Sequence, residues 1–239
     1  MPDIFATVDG YLAMFNQSSW ANARDGTSAT ATGLATTSNA QAVRVSRAAA
    51  RGGGAAYNVY RSFFEFDTSG VSVTPTDATL KIYGFFGSSA DFFVVKADTA
   101  TDGAIVAADF DAIVGWSSGA DNSSNVTKYS SEVTSWSNSG YNDITLNAAA
   151  LTSMVDDDVL KICCIESTKD LPNVELTSNF NAQSGMYYTE FTDTTRDPKI
   201  DFTEGVAGFG HKTIGVASAN IGKISGVATA NVGKVIGVD

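Results

Sequence analysis

A chain of 239 residues with a single histidine has few ways to build a base-assisted nucleophile. That histidine, His211, lies between Gly210 and Lys212, a setting that suits an exposed linker better than a positioned general base. The two cysteines, Cys163 and Cys164, are adjacent in Val159-Leu-Lys-Ile-Cys-Cys-Ile165. On a strand they point to opposite faces, so an ordinary disulfide cannot staple the domain to itself through them. With one distant histidine they form no zinc ligand set either. Carboxylates are plentiful, and counting alone leaves room for a glycosidase pair. Asp156-Asp157-Asp158 and Asp121-Asn122 carry the hard oxygen atoms that calcium takes, without the spacing of a 12-residue calcium loop. They read first as turns. No cofactor is expected, calcium being the one cation these oxygens would suit. Gly52-Gly53-Gly54 precedes no helix and reads as a chain break, not a phosphate cradle. Trp20, Trp116, Trp136, Tyr187 and Tyr188 are candidates for an aromatic platform facing a glycan, although core packing accounts for most of them as well.

Composition narrows the partners. Hydrophobic residues make up 44% and charged residues 17%, with many Gly, Ser, Thr, Ala and Asn, which suits turn-rich β-structure over a helical bundle. The net charge of −11 repels phosphate backbones, so nucleic acid is not an expected partner. No apolar run approaches the roughly 20 residues that span a bilayer, and no membrane partner is expected. The opening Met1-Pro-Asp-Ile-Phe-Ala-Thr-Val-Asp-Gly10 shows no basic and then apolar leader, so synthesis and folding in a cytoplasm are expected, without a signal peptide.

These residues need elements to hold them. Arg61-Ser-Phe-Phe-Glu-Phe-Asp-Thr-Ser-Gly70 and Ala78-Thr-Leu-Lys-Ile-Tyr-Gly84 read as two strands joined by a proline-containing loop. Phe64 and Phe66 share one face of the first, Leu80 and Ile82 one face of the second. Residues 4 to 15 predict a hairpin or bent strand around Asp9-Gly10. From Ala21 to Asn39 the chain is poor in apolar bulk and reads as an exposed connection with at most one short strand. Further strands are expected over Gln41–Arg47, Asp91–Lys96, Thr127–Trp136, Tyr141–Leu146, Val159–Glu166, Ser184–Phe191 and Lys199–Phe202. A short helical turn is expected within 107–114. Asn147 is placed to N-cap a turn over Ala148–Met154. Closely spaced strands without long amphipathic crossovers imply an all-β fold, an antiparallel two-sheet sandwich.

Tyr60-Arg-Ser-Phe-Phe-Glu-Phe-Asp-Thr-Ser69 with Ala78-Thr-Leu-Lys-Ile-Tyr83 resembles the DNRLRE-type jelly-roll domains, relatives of carbohydrate-binding modules. Trp116, the stretch Val133 to Trp136, Tyr141-Asn-Asp-Ile-Thr-Leu-Asn147 and Arg196-Asp-Pro-Lys-Ile-Asp-Phe202 agree with it, over roughly residues 55 to 204. The resemblance implies a jelly roll and one of two settings, cell-surface proteins or structural proteins of tailed phages.

The last part of the chain repeats every 11 residues. Lys212-Thr-Ile-Gly-Val-Ala-Ser-Ala-Asn-Ile-Gly222 is followed by Lys223-Ile-Ser-Gly-Val-Ala-Thr-Ala-Asn-Val-Gly233 and Lys234-Val-Ile-Gly-Val238. Two glycines per repeat, at about 1 kcal/mol each against alanine, disfavour a helical coil. Short β-segments separated by Ala-Asn turns fit better. Two and a half such units cannot bury a core alone, so Lys212, Ile214, Val216, Ile221, Lys223, Val227, Val232, Lys234 and Val238 are expected to pack on a partner. The division expected is a sandwich over residues 1–204, to which strands within 1–50 contribute, and an assembly tail over 205–239. Taken together, the features predict a non-enzymatic virion protein of a tailed phage, decorating the capsid or forming a fibre or tail appendage. Its partners would be other copies of itself, other virion proteins and a host-surface glycan. A carbohydrate-binding module is the alternative.

Overall fold

The computed structural model describes residues 3–34, 43–50, 53–189 and 194–205, together with the short pairs 223–224 and 227–228. Its frame is set by two strands that change sheets. β1 (Asp3–Gln17) is one long bent strand, not a hairpin: Gly10 lies at φ 156°, in extended backbone. Its first residues pair antiparallel with β10 (Lys199–Thr203), Asp3 opposite Asp201 and Phe5 opposite Lys199. From Ala6 on it pairs with β4 (Ala55–Asp67) instead, with a register shift between Ala6 and Val8. β5 (Asp77–Ser88) makes the same passage at Gly84. A β-carbon at Gly84 would stand 1.8 Å from the Ser137 carbonyl oxygen, so the crossing requires glycine.

The first sheet is therefore the start of β1, then β10, β5 and β7 (Tyr141–Thr145). The second is built on β4. It contains β1, β2 (Ala31–Leu34), β3 (Val43–Ala49), β6 (Phe92–Lys96), β8 (Val159–Glu166) and β9 (Phe180–Met186), all antiparallel. This is an all-β two-sheet sandwich with little helix.

Alternation along β4 shows how the two sides are filled. Phe64 and Phe66 face the first sheet and meet Leu80, Ile82, Ile144, Ile200 and Cys164 in one core. α2 (Ala148–Asp156) closes that core with Ala150 and Met154, and the Asn147 side chain accepts from the amides of Ala149 and Ala150 as its N-cap. Val59 and Phe63 face the other way, into a second core with Leu12, Val45, Val95 and Cys163. The second core is roofed by loops rather than a sheet: α1 (Trp20–Arg24), the segment from Ala97 to Val126, and the segment around Leu171 and Leu176. The second sheet is thus covered on both faces.

Three expected elements differ. Within the stretch 21–39 the one short strand expected is β2, but the connection before it is not exposed, because Ala23 and Arg24 of α1 are buried; residues 35–39 lie outside the described residues. Thr127–Trp136 forms no strand. Lys128 and Val133 bridge to β6 while Ser130 bridges to Leu146, so the segment is shared between two layers and cannot extend a ladder along either. Of the expected strand 184–191, residues 190–191 lie outside the described residues; the strand seen, β9, begins earlier and ends at Met186, leaving Tyr187 and Tyr188 beyond it.

Candidate functional site

The most polar part of the interior lies under the loop roof. Arg61 of β4 projects into it with no exposed surface, and a buried charge must be paired and hydrogen-bonded. Its Nε and Nη2 donate to both oxygens of Asp170 at 2.8 and 2.7 Å, a bidentate fork. The other donors reach the carbonyls of Phe110 and Arg24 at 2.9 and 3.0 Å. Arg24, equally buried, donates to the carbonyls of Asp170 and Ala120 at 2.6 and 2.7 Å and to the Asp25 carboxylate at 2.6 Å. Both guanidiniums lie against the Trp116 ring, 4.1 and 4.4 Å from its centroid. Burial disfavours the charge on Arg61, but Asp170 outweighs it and holds this guanidinium above the ordinary arginine value. For Arg24 burial wins over Asp170 and Asp25, and its value falls. Four charges of zero net sum thus pin three loops to one strand.

Four other buried carboxylates serve the same end. Glu65 accepts from Thr99 Oγ1 at 2.5 Å and the Gly103 amide at 2.7 Å. Asp109 accepts from the amides of Ala100 and Val106, and Asp9 from the amide and hydroxyl of Thr189. Glu166 takes the amides of Thr168, Lys169 and Asp170 and the Thr168 hydroxyl, and burial lifts its pKa against those bonds. In each case the carboxylate orders a loop.

Among the aromatic candidates the sandwich separates rather than gathers. Trp20 packs on Tyr57 in the second core, its Nε1 donating to Asn173 Oδ1. Trp136 lies in the first core against Phe92, donating to the Gly185 carbonyl, and Tyr188 is in that core with Phe64. Trp116 is occupied by the two arginines. Only Tyr187 joins a group near the surface. It meets Tyr83 and Phe85 edge to face, Tyr83 meets Tyr141, Phe85 meets Phe86, and the Arg196 guanidinium lies 4.8 Å from the Tyr187 centroid. The group sits where β5 changes sheets. The Gly84-Phe85-Phe86-Gly87 run, two aromatics set between glycines at that change, was the sequence signal for it.

A cleft of about 440 Å³ opens beside α1, lined by Ser19, Trp20, Asp25, Asn173 and Glu175 among others. Of the acidic turns, Asp157 pairs with Lys96 at 2.7 Å and Asp121 accepts from the Ser123 amide, while Asn122 turns inward to Ser117. No three His, Cys, Asp or Glu side chains converge among the described residues. His211 lies outside the described residues. So do Lys212, Ile214, Val216, Ile221, Val232, Lys234 and Val238 of the tail. Two short strands of it are described, β11 (Lys223–Ile224) and β12 (Val227–Ala228), paired antiparallel with Ile224 opposite Val227. The pairing falls within one repeat; the Ala-Asn pairs at 219–220 and 230–231 lie outside the described residues.

The class defined is an all-β sandwich whose interior charges act as fasteners. Comparison of the sequence with known protein families and with characterised proteins finds no match. The likeness to DNRLRE-type domains rests on the residues quoted for it alone.

Proposed function

We propose that this chain is a non-enzymatic structural protein of a tailed-phage virion, placed on the capsid or in a fibre or tail appendage. The observation that carries the reading is the 11-residue repeat appended to a fastened sandwich. Too short to bury a core, it gains stability only by packing on something else. Loop-ordering roles for Asp9, Glu65, Asp109, Glu166 and Asp170 support a scaffold over a catalyst. Assembly would run through β-rich contacts between copies and with other virion proteins. Light scattering and electron microscopy of the purified full chain test this: a defined oligomer is expected, and a monodisperse monomer at all concentrations would count against it.

A carbohydrate-binding module is the second reading, favoured by the half-buried rings of Tyr83, Phe85 and Tyr141 packed around the buried Tyr187. Glycan-array binding lost in Tyr83→Ala and Phe85→Ala variants would support it, and an array without signal would not.

A further inference from the structure

Unlike the second sheet, the first has one face without a covering layer among the described residues. Its edge is β7. The Gly84 amide donates to the Gly140 carbonyl and the Leu146 amide to the Ala78 carbonyl. With Leu80 opposite Ile144 and Ile82 opposite Asn142, this phase makes the even-numbered residues of β7 the ones bonded to β5. The amides and carbonyls of Tyr141 and Asp143 consequently point away from the sheet. Toward Thr145 the edge is closed by the Tyr129–Ser131 segment, through the Asn147 amide bonded to the Tyr129 carbonyl. The open stretch is about one short strand long.

The chain itself carries strands of that length. Gly-Val recurs at Gly215-Val216, Gly226-Val227 and Gly237-Val238, each within a few residues of a lysine. Val227 already pairs with Ile224 within the tail, and the β7 edge takes one such strand, so at most one more of the three is satisfied there. Charge points the same way. Residues 206–239 hold Lys212, Lys223 and Lys234 against Asp239, net +2, which leaves −13 on the rest of a chain of net −11. Asp143, on the open edge, is 60% exposed. β10 and β7 both run antiparallel to β5, so the tail leaves the sheet at the end where β7 finishes. Its 34 residues can extend to roughly 110 Å, ample to reach a neighbour.

We infer that the outer edge of β7, at Tyr141 and Asp143, accepts a repeat strand from the tail of a second copy of this chain, by main-chain pairing with a tail lysine beside Asp143. This rests on the assembly reading above and names where the contact falls. The test mixes unlabelled and ¹⁵N-labelled full-length protein, lets it assemble and applies a zero-length carbodiimide cross-linker. Mixed-isotope peptides joining Lys212, Lys223 or Lys234 to Asp143 are expected. Same-isotope links only, or links from the tail to other acids without Asp143, would overturn the inference while the oligomer itself stands. A protein that is monomeric throughout would overturn the assembly reading with it. An Asp143→Pro variant removes one outward amide without touching the β5 ladder, and should shift the oligomer to smaller species. An unchanged oligomer in a folded Asp143→Pro protein also overturns the inference.

Discussion

Asp170 is the side chain on which the buried charges depend. Asp170→Ala would leave Arg61 with two unmet donors and Arg24 with Asp25 as its one remaining carboxylate neighbour, at a cost of about 3–5 kcal/mol in urea unfolding. Replacing Arg61 and Asp170 together by leucines should cost much less, because no unpaired charge remains. Burial pushes the thiols of Cys163 and Cys164 far up, so neither should react with a thiol reagent in the native protein and both should react in denaturant. Their opposite orientation was legible from adjacency on a strand. The burial of Arg24 and Arg61 was not, since charged residues are seldom interior unless paired and the partner lies more than a hundred positions away. Trp116 was readable as a large aromatic, but its role between two guanidiniums was not.

At the level of elements, the strand alternation was the reliable part, because a period of two survives wherever one face is packed. Phe64, Phe66, Leu80 and Ile82 lie on the shared core, as their spacing predicts. The loop roof escaped, since loops have no period, and with it the second core. The outer face of the first sheet carries a run of ion pairs across four strands: Asp3 to Lys199 at 2.6 Å, Lys199 and Lys81 each to Asp201 at 3.6 Å, and Lys81 to Asp143 at 2.8 Å. The hydrogen bond to Lys199 holds Asp3 below its ordinary 3.8, and partners raise Lys81 and Lys199 above 10.5. The contribution from Asp3 is therefore present above about pH 3.8 and lost as pH falls through its lowered value. That from the lysines is complete below about pH 10.5 and lost as pH rises through their raised values. Stability profiles should show both limbs, and Lys199→Met should flatten them. Being exposed, these pairs give small effects.

For the whole molecule, the contrast between −13 on residues 1–205 and +2 on residues 206–239 predicts that the proposed assembly is sensitive to salt. Raising ionic strength from about 0.05 to 0.5 M should weaken the oligomer, because screening shortens from roughly 14 to 4 Å. Sedimentation velocity across that range checks it, and purely apolar assembly would strengthen instead. The repeat was legible at once as a sequence period, whereas the edge proposed to receive it depended on which backbone groups β7 turns outward. The position of β10 has a mechanical corollary. It lies between β1 and β5, bonded to both, and continues into the tail. Traction on an anchored tail would enter the body along the length of this flanked strand. Two ladders would then resist in shear, sharing the load, where a strand at the sheet margin would peel one bond at a time.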